Sequence, residues 1–303
     1  MRISSIDLFR GLAITLMVFF TMSYWLSANI PNILKHNEAN SLHIGDFVLP
    51  MFVFASGMSL VYFHEKRKGR KDYWLEVIER FGKLAMISII LSVFSAGGFL
   101  NMDEVMLIAL LFLASVLILQ LPEIYTIAVS LAIPAAYVLI VAITGSLPNF
   151  GIAYLGGYPA AIFYLPVMLA GVMVGKRIET GKTEWIIIAA MIGYLVSVLV
   201  VPPYKDIASP SFMAMSIVLS YFVFQAVRGF RNEQLEYLGR KPIRFWVMMF
   251  LVLIPLAFYS VGSNTAMPFN EIPAWAAIVA AIVCIFVFYV ASKALDRFTW
   301  LAI

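Results

Sequence analysis

Residues 2–29 read RISSIDLFRGLAITLMVFFTMSYWLSAN, and residues 44–64 read IGDFVLPMFVFASGMSLVYFH. Each holds an apolar run of roughly 18 residues or more, enough as a helix to cross a hydrocarbon layer about 30 Å thick. The runs are continuous rather than alternating, so they predict helices and not the strands of a barrel. The first keeps its charge at the start: Ser4-x-x-Asp7 fits a capping box, with Arg10 three residues beyond the acid. The second opens on a lone acid, Asp46, which suits the positive end of a helix.

The same pattern repeats to the end of the chain. Ten spans are expected, near 7–29, 44–64, 80–97, 104–121, 124–144, 160–176, 184–201, 211–228, 243–261 and 273–292. Across the 303 residues, 62% are hydrophobic and 13% charged, against about a quarter charged in soluble domains. The fold class is therefore an all-α integral membrane protein. With the N-terminus cytoplasmic, the inner segments and adjoining span ends carry every Lys and Arg except Lys35 and Lys205. That bias follows the positive-inside rule and puts both termini in the cytoplasm. The net charge of +4 serves this topology and does not point to nucleic acid.

The first span reads as a retained helix, not a cleaved leader. Cys284 lies alone in the last span, which leaves no disulfide or metal framework. Pro50, Pro134, Pro166 and Pro255 fall within apolar runs, where kinks are expected. Gly171 and Gly175 form a GxxxG pair suited to close helix packing. No repeat or long linker divides the chain, so residues 1–303 are expected to form one membrane domain.

Few residues offer chemistry. His36, just past the outer end of span one, titrates near neutral pH and suits a general base; the plain alternative is a solvated loop histidine. His43 follows seven residues later, and His64 borders the basic inner loop, as a headgroup contact would. Asp46 either caps the second span or orients a histidine. Asp7 and Arg10 either anchor the helix end at the lipid headgroups or offer a forked guanidinium to a phosphate. Thr21 and Ser23 place hydroxyls inside span one, where such groups commonly bond back to the helix. Lys205 is a cation on the outer face, against the charge bias; a salt bridge with Asp206 is the alternative.

The order and spacing of these residues resemble the catalytic domain of the heparan-α-glucosaminide N-acetyltransferase family of membrane acyltransferases. The likeness rests on Ser5-Ile6-Asp7-Leu8-Phe9-Arg10-Gly11-Leu12-Ala13, on Lys35-His36, and on Asp46-Phe47-Val48-Leu49-Pro50-Met51-Phe52-Val53-Phe54 closing at Gly57. Phe163 through Gly175, the Pro203-Tyr204-Lys205 loop with Ser209 and Ser211, and Leu238-Gly239-Arg240-Lys241-Pro242 are fainter echoes. The resemblance implies an enzyme that takes acetyl-CoA from the cytosol and acetylates a sugar or glycan amine or hydroxyl across the membrane, with no metal. His36 corresponds to the family's essential histidine, as general base or acyl carrier. Asp46 and Thr21 join it as catalytic residues. Arg10, Asp7, Arg240 and Lys241 would form the CoA site, with the phosphates near Arg10 and the other cations; Lys205, Ser209, Ser211 and Asn40 would hold the acceptor. Membrane lipids and a second copy in a homodimer are the other expected partners, and a prokaryotic plasma membrane the expected location.

The chain departs from that family at three positions. Thr21 replaces an asparagine, and Ala39 and Ala208 replace tryptophans. Aromatic rings offer flat apolar surfaces to sugars, so their loss argues against heparan glucosamine as the acceptor. A transporter or lipid flippase without CoA chemistry is the rival class. It would carry ionisable residues deep in its spans, and these spans have almost none.

Overall fold

The computed structural model describes residues 4–35, 42–94, 103–146, 157–205, 208–262, 269 and 271–297. Its helices are α1 (Ser4–Leu26), α2 (Val48–Arg67), α3 (Tyr73–Phe94), α4 (Glu104–Leu119), α5 (Glu123–Thr144), α6 (Gly157–Arg177), α7 (Glu184–Val198), α8 (Pro210–Val227), α9 (Glu233–Arg240), α10 (Pro242–Gly262) and α11 (Ala274–Leu295). Single 3-10 turns cover Asn32–Leu34 and Ile44–Phe47, and no strand occurs among the described residues.

A helix occupies each of the ten expected spans. Six are long and apolar enough to cross a membrane: α1, α2 with the 3-10 turn before it, α5, α8, α10 and α11. α4 and α7 are shorter apolar helices. α3 begins at Tyr73, seven residues before the expected start, and carries Glu76, Glu79, Arg80 and Lys83 in its first half. Pro50 sits in the first turn of α2. There its missing donor costs nothing and no kink is required, whereas Pro134, Pro166 and Pro255 are inside their helices.

The helices group into two compact units. Leu49–Val223 forms one, and Ile3–Val48 with Phe224–Ile303 forms the other. In the first, α6 packs on α4, α5 and α7, and α3 on α4. α6 also meets α2 backbone to backbone. A Cβ on Gly57 would collide with the Met168 carbonyl, one on Gly171 with the Phe54 carbonyl, and one on Gly175 with Met58. The expected close packing of Gly171 and Gly175 is thus realised against α2. α6 is buried nearly all round from Leu165 to Val174, which is why it shows no polar face. The apolar window of α5 is only 11% buried, against 83% for that of α2, so α5 is peripheral and presents its leucines and isoleucines outward.

In the second unit, α1 packs against α9, α10 and α11. α9 was not foreseen: the stretch was expected to be an inner loop. Asn232 caps it, accepting from the Leu235 amide at 2.9 Å. Tyr237, Leu238 and Gly239 form its buried side, and Pro242 opens α10, where a proline is favoured.

Candidate active site

At the Ser4 end of α1, Ser4 Oγ donates to Glu236 Oε1 at 2.6 Å. Arg10 Nη2 donates to Asp7 Oδ1 at 3.2 Å, and Arg10 Nε donates to the Gly239 carbonyl. The guanidinium therefore joins α1 to α9. The next two residues, Arg240 and Lys241, are cations held differently. Arg240 is exposed, with its Cζ 5.9 Å from the Tyr237 ring centroid. Lys241 Nζ pairs with Asp296 Oδ1 at 3.3 Å.

Asp296 collects a network the sequence did not announce. It accepts from Tyr237 Oη at 2.7 Å and from Arg244 Nη1 at 2.6 Å. Arg244 is buried and also donates to the Ser292 carbonyl at 3.2 Å. Burial disfavours the Asp296 carboxylate, but the bonds from Tyr237, Arg244 and Lys241 outweigh it and hold its pKa at about 2. Lys293 Nζ lies 4.2 Å from the Tyr237 ring centroid. α9, α10 and α11 are so tied together by one acid.

At the Leu26 end, α1 touches both 3-10 turns, and the turns touch each other. Asp46 is buried in the second turn, at 1% exposure. Its Oδ2 accepts from the His43 amide at 2.9 Å, and its own amide donates to the His43 carbonyl at 3.1 Å. Asp46 thus caps the turn that leads into α2, and its charge is rigidly held. Thr21 is half-buried on α1. Ser23, two residues on, is fully buried, and its hydroxyl finds no partner among the described residues. The sequence reading set Ser23 aside as a helix-bonded hydroxyl; such an orphan asks for a ligand or water. Phe269 and Ile272 reach this end too: Ala28 N donates to the Phe269 carbonyl at 3.2 Å and Asn29 Nδ2 to that of Ile272 at 3.2 Å. His36 and Asn40 lie outside the described residues.

The other unit holds the remaining expected acceptor residues. Ser209 and Ser211 are fully buried. Ser209 Oγ accepts from the Tyr204 amide at 2.8 Å, and Ser211 Oγ donates to the Val201 carbonyl at 2.8 Å. Their hydroxyls serve the loop, not an open surface. Lys205, one residue after Tyr204, is half-buried. His64, expected at the headgroups, is instead 5% exposed, with Nδ1 2.8 Å from Tyr73 Oη. Gln120 Nε2 donates to the same Tyr73 oxygen at 2.9 Å. The reason is α2 itself, which continues through Arg67 and keeps His64 within the helix packing.

Residues 2–201 match the family described as heparan-alpha-glucosaminide N-acetyltransferase, catalytic. No curated protein matches the chain. Six apolar helices and this match together make it an integral membrane protein.

Proposed function

The chain belongs to the heparan-α-glucosaminide N-acetyltransferase catalytic family, and on that premise we propose that it carries an acetyl group from cytosolic acetyl-CoA to an acceptor across the membrane. The family match carries the reading, because it takes in α1, His36 and Asp46 together. α1 supports it. Arg10, and through Gly239 the cations Arg240 and Lys241, stand at one end; Thr21 and the Asp46 turn lie toward the other. Arg10 and Thr21 are eleven residues apart, about 16 Å along a helix, a distance suited to a long uncharged thioester arm.

In this reading the chain acts as one acyltransferase domain of ten spans, both termini cytoplasmic, in a prokaryotic plasma membrane and as a homodimer. Arg240 and Lys241 take the CoA phosphates, while Asp7 and Arg10 keep α9 in place beneath them. His36 removes the proton from the acceptor hydroxyl or amine as it attacks the thioester carbon. The new C–O or C–N bond forms, the C–S bond breaks, and the proton passes to the departing CoA thiolate. General-base help of this kind gives about 10²–10⁴-fold. Thr21 donates to the developing oxyanion, and the fixed charge of Asp46 orients the imidazole. Asn40 and Lys205 meet the acceptor, and Ser209 and Ser211 brace the loop that bears Lys205.

The test is binding and transfer on the purified full chain. Acetyl-CoA at about 100 times its Kd should add about 2.7 kcal/mol of stability, and His36→Ala should keep that gain while losing transfer. No melting shift with acetyl-CoA, or normal transfer by His36→Ala, rejects the reading. Labelled acetyl-CoA without acceptor separates the two routes: label retained on the protein but absent from His36→Ala marks an acetyl-histidine.

A further inference from the structure

The inward stripe of α3 is set by Tyr73, Val77, Ser88 and Leu91, all buried. Arg80 belongs to that stripe by spacing, three residues after Val77 and eight before Ser88. It is nevertheless exposed, so the packing of α3 opens at this level. The guanidinium lies over rings from two neighbouring helices of the same unit. Its Cζ is 5.0 Å from the ring centroid of Phe63 on α2 and 5.6 Å from that of Phe112 on α4. Both rings are buried, and they meet edge to face at 5.7 Å. The opening therefore has an aromatic floor and one cation above it.

Among the described residues no carboxylate pairs with that cation. The acids at this end of α3 are spent elsewhere. Glu76 is shared by Arg67 and, at 3.2 Å, by Arg70. Asp72 is held by Arg70 at 2.6 Å, and Glu79 by Lys83 at 2.7 Å. The charge that acts on Arg80 is that of Arg67, of the same sign, whose Cζ stands 4.4 Å from the same Phe63 centroid. A guanidinium keeps its proton at any working pH, so it cannot relieve that repulsion by turning neutral. An anion from outside the chain relieves it.

The surroundings say which anion. α3 carries Glu76, Glu79, Arg80 and Lys83 in its first half and no charge from 84 to 94. Leu75, Ile78, Met86 and Ile90 are each at least half exposed. Arg80 thus stands where a charged helix end passes into an apolar flank, the setting of a bilayer headgroup. We infer that Arg80 seats an anionic phospholipid, its phosphate on the guanidinium and an acyl chain along Ile87 and Ile90. Those two residues continue the same edge of the helix, seven and ten positions on. A zwitterionic headgroup would bring a further cation to a place that already holds two. The seat is independent of acetyl transfer and adds a lipid partner to it.

The probe is dioleoylphosphatidylglycerol, added to the delipidated full chain in detergent while melting is followed. Dioleoylphosphatidylcholine, inorganic phosphate and acetyl-CoA are the comparisons. Phosphatidylglycerol should raise the melting temperature; phosphatidylcholine with the same chains, and inorganic phosphate, should not. Arg80→Gln should weaken the apparent affinity for phosphatidylglycerol about tenfold, the loss of one charge-assisted contact. Lys71→Gln removes an equal charge from the exposed turn before α3 and should respond like wild type. Arg80→Lys keeps the charge and should keep the response, which tests the seat even where the Gln variant folds poorly. The inference falls if phosphatidylglycerol leaves the wild type unmoved, or if phosphatidylcholine or inorganic phosphate does as well. It also falls if Arg80→Gln responds like wild type, if Lys71→Gln is weakened as much, or if Arg80→Lys loses the response. Acetyl-CoA should shift wild type and Arg80→Gln alike; loss of that shift in Arg80→Gln assigns the seat to CoA phosphates and rejects the lipid. A wild type that answers phosphatidylglycerol and not acetyl-CoA sinks the acetyltransferase reading and leaves the lipid seat standing.

Discussion

Gly11 of α1 and Gly239 of α9 face each other so closely that neither has room for a side chain: a Cβ on Gly11 would strike the Leu235 carbonyl, and one on Gly239 the Asp7 carbonyl. Overpacking of this kind costs about 1–3 kcal/mol. Gly11→Ala and Gly239→Ala are each expected to lower the melting temperature. Because the two positions share one contact, the double variant should lose less than the sum. Wild-type melting in either single variant would show that the two backbones do not meet.

The Asp296 network sets an acid limit on stability. Its carboxyl is held at about 2 in the folded chain, below the usual value of about 3.9. The stabilisation is therefore complete above about pH 4 and is lost as pH falls through about 2. Asp296→Asn should remove that slope from a melting-temperature profile. At neutral pH it should also cost about 1–3 kcal/mol, since Arg244 loses a carboxylate partner while buried. Parallel profiles for the two proteins would show the network to be idle.

Asp46→Asn and Asp46→Ala separate capping from charge. Asn keeps an oxygen for the His43 amide, so its melting temperature should stay near wild type, while transfer falls with the lost charge. Ala should lose transfer and also about 0.5–2 kcal/mol of stability, the range for a deleted cap. Full transfer by the folded Asn variant would leave Asp46 as a cap alone.

Arg10 and Arg240 should behave oppositely although one hydrogen bond separates them. Arg10→Lys loses the fork that joins Asp7 to the Gly239 carbonyl and should melt earlier. Arg240→Ala removes an exposed side chain resting on a ring. It should melt normally and raise the KM for acetyl-CoA about tenfold, more at low salt than at high. Equal effects of both on KM with no change in melting would return Arg10 to the phosphates.

Apolar run length was enough to find the ten helical segments, because a continuous run of that length leaves few alternatives. It was not enough for ends. α3 starts at Tyr73, where Glu76, Glu79, Arg80 and Lys83 break up the apolar run. α9 is eight residues long and amphipathic; its one local sign was Asn232 followed by Glu233 and Glu236. The sequence singled out Asp7, His36 and Asp46 by their order and spacing; of these, Asp7 and Asp46 are among the described residues. What each side chain holds was not legible. The partner of Arg10 is a carbonyl 229 residues away, and the buried hydroxyls of Ser209 and Ser211 look in sequence like those of any polar loop.

The pairing of α1 with α9, α10 and α11 has a consequence for biogenesis. The ribosome finishes α1 more than two hundred residues before it finishes α9. Through that interval the nascent chain must shelter a bare glycine face and an Asp7–Arg10 pair that await their mates. Loop closure over such a separation is slow, so translocon residence or a chaperone at the membrane should govern yield. Messages cut short before α9 should give products cleared by membrane proteases.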